Sequence, residues 1–244
     1  MQSANDFTKQ GYANIMKSAL KNGYILCPVK DSYKFYNQGK SPIGILRHDV
    51  DVDMQTALEM AKLEASLGVH STYFMLLHEK LYNPSSQKGS KIVKEIAALK
   101  HEIGFHINSD DYLGSKNQDE EIKKDIKLLA SVSGQKIVSV AHHRPNHINT
   151  IEVSKYFEND AYSEKFSKNF TYVSDSCMKW RQHTPLDIIK QKKNFQFLSH
   201  PIWWIPEGKT VQEKVESVKS QNKDISEELY DAFIEHILGA LKER

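Results

Sequence analysis

Ile43-Gly44-Ile45-Leu46-Arg47-His48-Asp49-Val50-Asp51-Val52-Asp53 runs from apolar residues into a set of ionisable ones, and a helical pattern follows at Ala57-Leu58, Met60-Ala61 and Leu63-Glu64. A strand that delivers carboxylates and then enters a helix sets those carboxylates at the C-terminal lip of a sheet or barrel, where α/β proteins form their sites. Three aspartates at alternate positions repel one another unless a cation, a proton or bound solvent compensates them. Asp53, directly ahead of the helical pattern, reads most simply as its N-cap. Asp49 and Asp51, beside an arginine and a histidine, read as site residues.

Outward from this stretch the same unit recurs. Towards the N-terminus, Phe7, Tyr12, Ile15, Met16, Ala19 and Leu20 have approximately helical spacing up to Asn22-Gly23, so residues 6–21 are expected to form a helix. Residues 24–42, with Pro28, Gly39 and Pro42, read as a connecting loop into the barrel. Towards the C-terminus the helix is expected to stop at Gly68 and give way to a strand, Val69-His70-Ser71-Thr72-Tyr73-Phe74-Met75-Leu76. Then come a helix at Lys91 to Lys100, a strand Glu102-Ile103-Gly104-Phe105-His106, and a helix at Gln118 to Val132 stopped by Gly134. The strand Lys136 to Ala141 delivers His142-His143-Arg144-Pro145-Asn146-His147. Weaker patterns predict strands at Tyr172 to Ser176 and Phe195 to Pro201, and helices at Val211 to Lys219 and Ile225 to Lys242.

Repeated βα units without a glycine-rich phosphate loop favour a parallel barrel over a dinucleotide fold. The expected architecture is therefore α/β: a single domain, with residues 1–42 packed outside a distorted (β/α) barrel spanning 43–244. At 244 residues the chain is long enough for one large core. Its 33 basic and 31 acidic residues give a formal net charge of +2 and are spread along the chain, so no electrostatic footprint for nucleic acid is visible. Two cysteines, Cys27 and Cys177, exclude a disulfide framework or a four-cysteine zinc site. No export signal and no long apolar stretch is visible, so membrane insertion is not expected and a cytoplasmic location is.

Imidazole and carboxylate donors without cysteine suit a divalent ion with open coordination positions, zinc above all. Asp51 and His106 are the first candidate ligands, with Asp110, four residues after His106, as the third. Asp49, next to the ion, is placed to take a proton from the water that attacks a carbonyl, with Arg144 as the opposite charge that orients it. His200 is placed to protonate a departing amine, with Asp175 as its partner. Trp180, Trp203 and Trp204, together with Tyr172, offer apolar walls on which a sugar ring can stack. A buried core is the plain alternative for them.

These residues resemble, in order, five motifs of the polysaccharide deacetylases with the NodB homology domain, carbohydrate esterase family 4, over roughly residues 43–205. Arg47-His48-Asp49-Val50-Asp51 is similar to the family's aspartate motif, with its two carboxylates one residue apart. Glu102-Ile103-Gly104-Phe105-His106 is similar to the metal-histidine motif, with Asp110 where a second histidine is expected. His142 or His143 from the next strand is the other way to fill that position. His143-Arg144-Pro145 resembles the arginine motif, Asp175 to Trp180 the aspartate–tryptophan motif, and Leu198-Ser199-His200 the last. The resemblance implies a metal-dependent hydrolase that removes an N-acetyl or related acyl group from an amino sugar or glycan precursor. It implies Asp49 as base, Asp51 as a metal ligand, His200 as acid and His143 near the substrate. A metal-free carbohydrate-binding protein on the same fold, and a hydrolase of a non-sugar amide, are the alternatives.

Overall fold

A computed structural model describes residues 7–145, 151–222 and 227–242. Asp6, Asn146, His147 and the start of the last predicted helix, Ile225 and Ser226, lie outside these residues.

The chain orders itself as α1 (Lys9–Lys21), β1 (Ile25–Cys27), α2 (Val29–Asn37), β2 (Ile43–Val50), α3 (Met54–Ser66), β3 (Thr72–Met75), α4 (Gln87–Ala98), β4 (Glu102–Ile107), α5 (Gln118–Ser133) and β5 (Ser139–His142). It continues with β6 (Asn159–Asp160), α6 (Glu164–Asn169), β7 (Thr171–Ser174), α7 (Pro185–Gln191), β8 (Phe195–Ser199), α8 (Pro201–Trp204), α9 (Val211–Gln221) and α10 (Glu227–Lys242). All strand pairs are parallel, in the order β6-β5-β4-β3-β2-β8-β7, and β1 pairs the first half of β2 ahead of β3. The sheet curls into an incomplete, distorted (β/α) barrel with helices outside, the architecture expected from the sequence.

Every residue of β2 is buried, because this central strand is covered on both faces. Alternation then sorts its side chains. Ile43 and Ile45 join Phe74, Ala141 and Phe166 inside the barrel, whereas Leu46 and Val50 join the outer clusters under the helices. The site-bearing end of the stretch belongs to the strand itself: Arg47, His48 and Asp49 pair with Thr72, Tyr73 and Phe74 of β3. Gly104 on β4 makes room inside, since a Cβ there would meet the Phe74 ring at 2.4 Å.

The edges β6 and β7 do not pair, and side chains of β8 and β2 reach across the barrel to the segment after β6. Gln196 Nε2 donates to the Ala161 carbonyl at 3.0 Å, and Arg47 Nη2 to the Tyr162 hydroxyl at 3.1 Å.

Residues 24–42 are not the irregular loop that their prolines and glycine suggest, for they carry β1 and α2. The first amides of α2 are capped from other strands: Thr72 Oγ1 accepts from Val29 at 2.8 Å and Glu102 Oε2 from Lys30 at 3.1 Å. A cap supplied by a distant element leaves no local sequence signal. Asp53 does cap α3, its carboxylate accepting from the Thr56 amide at 2.7 Å. No helix among the described residues is long and apolar enough to cross a membrane.

Candidate active site

On β2 and just beyond it, Arg47, Asp49 and Asp51 alternate onto the inner face. His106 comes from β4, His143 from the residue after β5, and His200 from the residue after β8. Asp51 Oδ1 lies 3.3 Å from His106 Nε2 and 3.6 Å from His143 Nδ1, and the two imidazole nitrogens are 3.3 Å apart. Asp51 Oδ1 is buried without a hydrogen-bond partner among the described residues. His106 turns its other nitrogen, Nδ1, to the Ala141 carbonyl at 2.8 Å, which fixes the ring and leaves Nε2 facing the cluster, as second partners of metal-binding histidines do.

These three donors fit a divalent ion. Donors about 2.0–2.2 Å from a tetrahedral centre stand roughly 3.4 Å from one another, close to the separations seen. Burial by itself pushes the Asp51 carboxyl up, but the imidazoles of His106 and His143 beside it hold it well below the usual carboxylate range. Burial likewise pushes His106 down, and Asp49 and Asp51 outweigh it, so its pKa rises. Such a cluster needs positive charge, which protons or a cation can supply in competition.

Asp49 stands beside the cluster, its Oδ2 3.7 Å from His106 Nε2. Its orienting arginine is Arg47, not the predicted Arg144. Arg47 Nη2 donates to both carboxylate oxygens of Asp49, at 2.8 and 2.7 Å, and the guanidinium is fully buried between the rings of Phe74 and Tyr162. Arg144 follows the end of β5, has left the sheet and is exposed. The signal for Arg47 was present as a two-residue spacing on one strand, hence one face.

Opposite stands His200, whose Nε2 lies 3.6 Å from Asp51 Oδ2 and whose Nδ1 lies 2.6 Å from Asp175 Oδ1. Asp175, fully buried, also accepts from the His200 amide at 3.0 Å and from Trp204 Nε1 at 2.6 Å. Burial pushes the His200 imidazole down, but Asp175, then Asp51 and Asp49, raise it to about 9.

The structure does not bring Asp110 into this group. β4 ends at Ile107 and the chain turns into a short 3-10 helix, Ser109–Asp111, that leaves Asp110 exposed. A spacing of four brings two side chains together only where one helical turn carries both, and His106 lies on a strand. His143, expected near the substrate or, with His142, as the alternative to Asp110, stands in the cluster.

Trp180 and Trp204 are likewise not substrate walls. Phe7 stacks on Trp180 at 5.2 Å and leans on Trp204 at 4.9 Å, within the outer core that seats α1. Trp203 and Tyr172 do line the cavity above the cluster, about 1030 Å3 in volume.

No family model matches this chain, and neither does any curated protein. Among solved structures it is similar to the polysaccharide deacetylase Bc1974 from Bacillus cereus, with 17% identity and a TM-score of 0.46 over 76% of this chain and 88% of that one. It is similar to the peptidoglycan deacetylase PdaC from Bacillus subtilis, with 14% identity and a TM-score of 0.44 over 84% and 97%. A CE4 family pseudoenzyme from Bacillus anthracis matches with 13% identity and a TM-score of 0.43 over 76% of this chain and 62% of that one.

Proposed function

We propose that this chain is a divalent-metal-dependent hydrolase of the polysaccharide deacetylase kind, removing an N-acetyl or related acyl group from an amino sugar. One observation carries the reading. Three donor atoms at the spacing of a tetrahedral edge, including an unpartnered buried carboxylate oxygen, lie between an arginine-held carboxylate on one side and a carboxylate-held histidine on the other.

Asp51, His106 and His143 would hold the ion. When bound, it supplies Lewis acidity toward the acyl carbonyl and the attacking water. Asp49, fixed by the Arg47 fork, accepts the proton that water loses as its oxygen bonds to the acyl carbon. His200 Nε2 donates its proton to the amide nitrogen as the carbon–nitrogen bond breaks, and Asp175 stabilises the imidazolium beforehand. The products are the carboxylate and the free amine. The aspartate–imidazole pair also fixes which face of His200 meets the leaving group, an orientation worth large factors in rate.

The test is Asp49→Asn in metal-loaded protein. Turnover of N-acetylhexosamines should fall by at least about a hundredfold, since a general base commonly contributes 10²–10⁴, while bound metal measured by elemental analysis stays unchanged. Undiminished turnover in this variant would sink the assignment.

A further inference from the structure

Arginine is scarce in this chain. Of its 33 basic residues four are arginines, at positions 47, 144, 181 and 244, and the last lies outside the described residues. Arg47 holds Asp49 from behind. The other two, Arg144 and Arg181, both line the cavity above the cluster, together with Lys80. These three cations are exposed, so they stand at its mouth. They come from separate connections, after β3, after β5 and after β7, which a parallel βα topology brings to one end of the barrel. Arg144 does so from a left-handed backbone, φ 55°, which glycine or asparagine adopts more readily.

None of the three side chains has a hydrogen-bond or ion-pair partner among the described residues. The acids of the same cavity are engaged elsewhere. Asp49 is paired with Arg47, Asp51 belongs to the metal cluster, and Glu79 Oε1 accepts from the amides of its own loop, Lys80 at 2.7 Å and Leu81 at 3.2 Å. The mouth therefore carries positive charge that the protein does not itself neutralise. The cavity, about 1030 Å3 in volume, is at the top of the roughly 300–1,000 Å3 range of small-molecule sites, so it has room for more than an acylated sugar ring.

We propose that the substrate is a phosphorylated N-acyl amino sugar, its phosphate ester bound at the cavity mouth by Arg144 and Arg181 with Lys80. A guanidinium meets phosphate oxygens through paired N–H donors, which a lysine cannot offer. A phosphate ester carries up to about two negative charges at neutral pH, and so compensates a surplus that a neutral glycan leaves in place. This rests on the hydrolase reading for the acyl group that reacts; recognition of the phosphate does not depend on it.

The test titrates four sugars into the metal-loaded chain in a calorimeter, at low and at high salt, with acetate release measured in parallel. They are N-acetylglucosamine, its 1-phosphate, its uridine diphosphate ester and the carboxylate-bearing N-acetylmuramic acid. The 1-phosphate should bind at least about tenfold more tightly than the plain sugar, and salt should erode that advantage. Arg144→Gln or Arg181→Gln should cut it about tenfold, and Lys91→Gln, an exposed cation on α4 outside the cavity, should not; thermal melting confirms that each variant is folded. A further gain with the uridine diphosphate ester assigns a nucleotide-carried sugar, and equal affinity a phosphate ester alone. The inference is overturned if plain and phosphorylated sugars bind alike, if N-acetylmuramic acid matches the 1-phosphate, or if the preference survives both arginine substitutions, which would put the phosphate on the metal. Acetate released equally from plain and phosphorylated sugar keeps the hydrolase and removes this inference; phosphate-dependent binding without acetate release does the reverse.

Discussion

Arg47 shows how much a single side chain decides. It is wholly buried, and its charge is compensated by Asp49 two residues along the same strand. A lysine at this position keeps the charge but not the planar pair of donors, Nε and Nη2, that reach Asp49 Oδ1 at 3.3 Å and Oδ2 at 2.7 Å. Arg47→Lys is therefore expected to reduce kcat by about tenfold to a hundredfold, through misplacement of Asp49, with metal content intact. Steady-state kinetics beside elemental analysis would show it, and a wild-type kcat would mean that Asp49 needs no such support. The choice of third ligand is equally open to test. His143→Ala should lose bound zinc on dialysis, while Asp110→Ala, altering an exposed turn, should retain it. The reverse pattern would restore Asp110 as the ligand.

At the scale of elements, the layers behind the site are tied by one carboxylate on α3. Glu64, fully buried, accepts from Tyr12 of α1 at 2.6 Å, from Ser71 at 2.5 Å and from Tyr73 of β3 at 2.7 Å, and lies 2.9 Å from His48 Nε2 of β2. His48 in turn meets Ser199 of β8 at 2.8 Å, so the outward face of the site-bearing strands is fixed while their inward face carries the chemistry. Burial pushes the Glu64 carboxyl up, but His48, then His101 and the Ser71 hydroxyl, bring it down to about 2. An unfolded glutamate titrates near ~4.3. The folded state therefore binds this proton less readily, and the stabilisation is complete above that value and is lost as pH falls toward 2. Glu64→Gln should lower unfolding free energy by about 3 kcal/mol at neutral pH, and the gap to wild type should narrow on acidification below about pH 4. Urea melts across that range would reveal it, and a gap independent of pH would exclude Glu64 as the titrating group.

For the whole molecule, an ion held by side chains from β4, the end of β5 and the loop after β2 binds the folded state only, because nothing else brings these segments together. Zinc at about a thousand times its Kd then contributes about 4 kcal/mol, which for a chain of this size corresponds to a rise in Tm on the order of 10 °C. Calorimetric scans with zinc and with a chelator should differ by that amount in wild type, and much less in Asp51→Asn. Equal transitions in wild type would argue against a metal centre.

What the sequence by itself determined is considerable, and it is the local part. Periodicity placed β2 to β5, β7, β8 and most of the long helices, because an alternating or 3.6-residue pattern is written in neighbouring residues. The strand tips named Asp49, Asp51, His106, Asp175 and His200 as one group, since parallel βα repeats send all such tips to one end. Only the tertiary structure decided which cation faces Asp49, which third donor joins Asp51 and His106, and which tryptophans face the cavity. Those outcomes depend on where each strand stops and on neighbours far away in sequence: Arg144 and Asp110 lie past the ends of their strands, while Trp180 and Trp204 were claimed by Phe7. The short β1, α2 and β6 were hidden for the same reason, for three or fewer strand residues, or a helix capped by Thr72 and Glu102, gain their stability from contacts that no local pattern encodes.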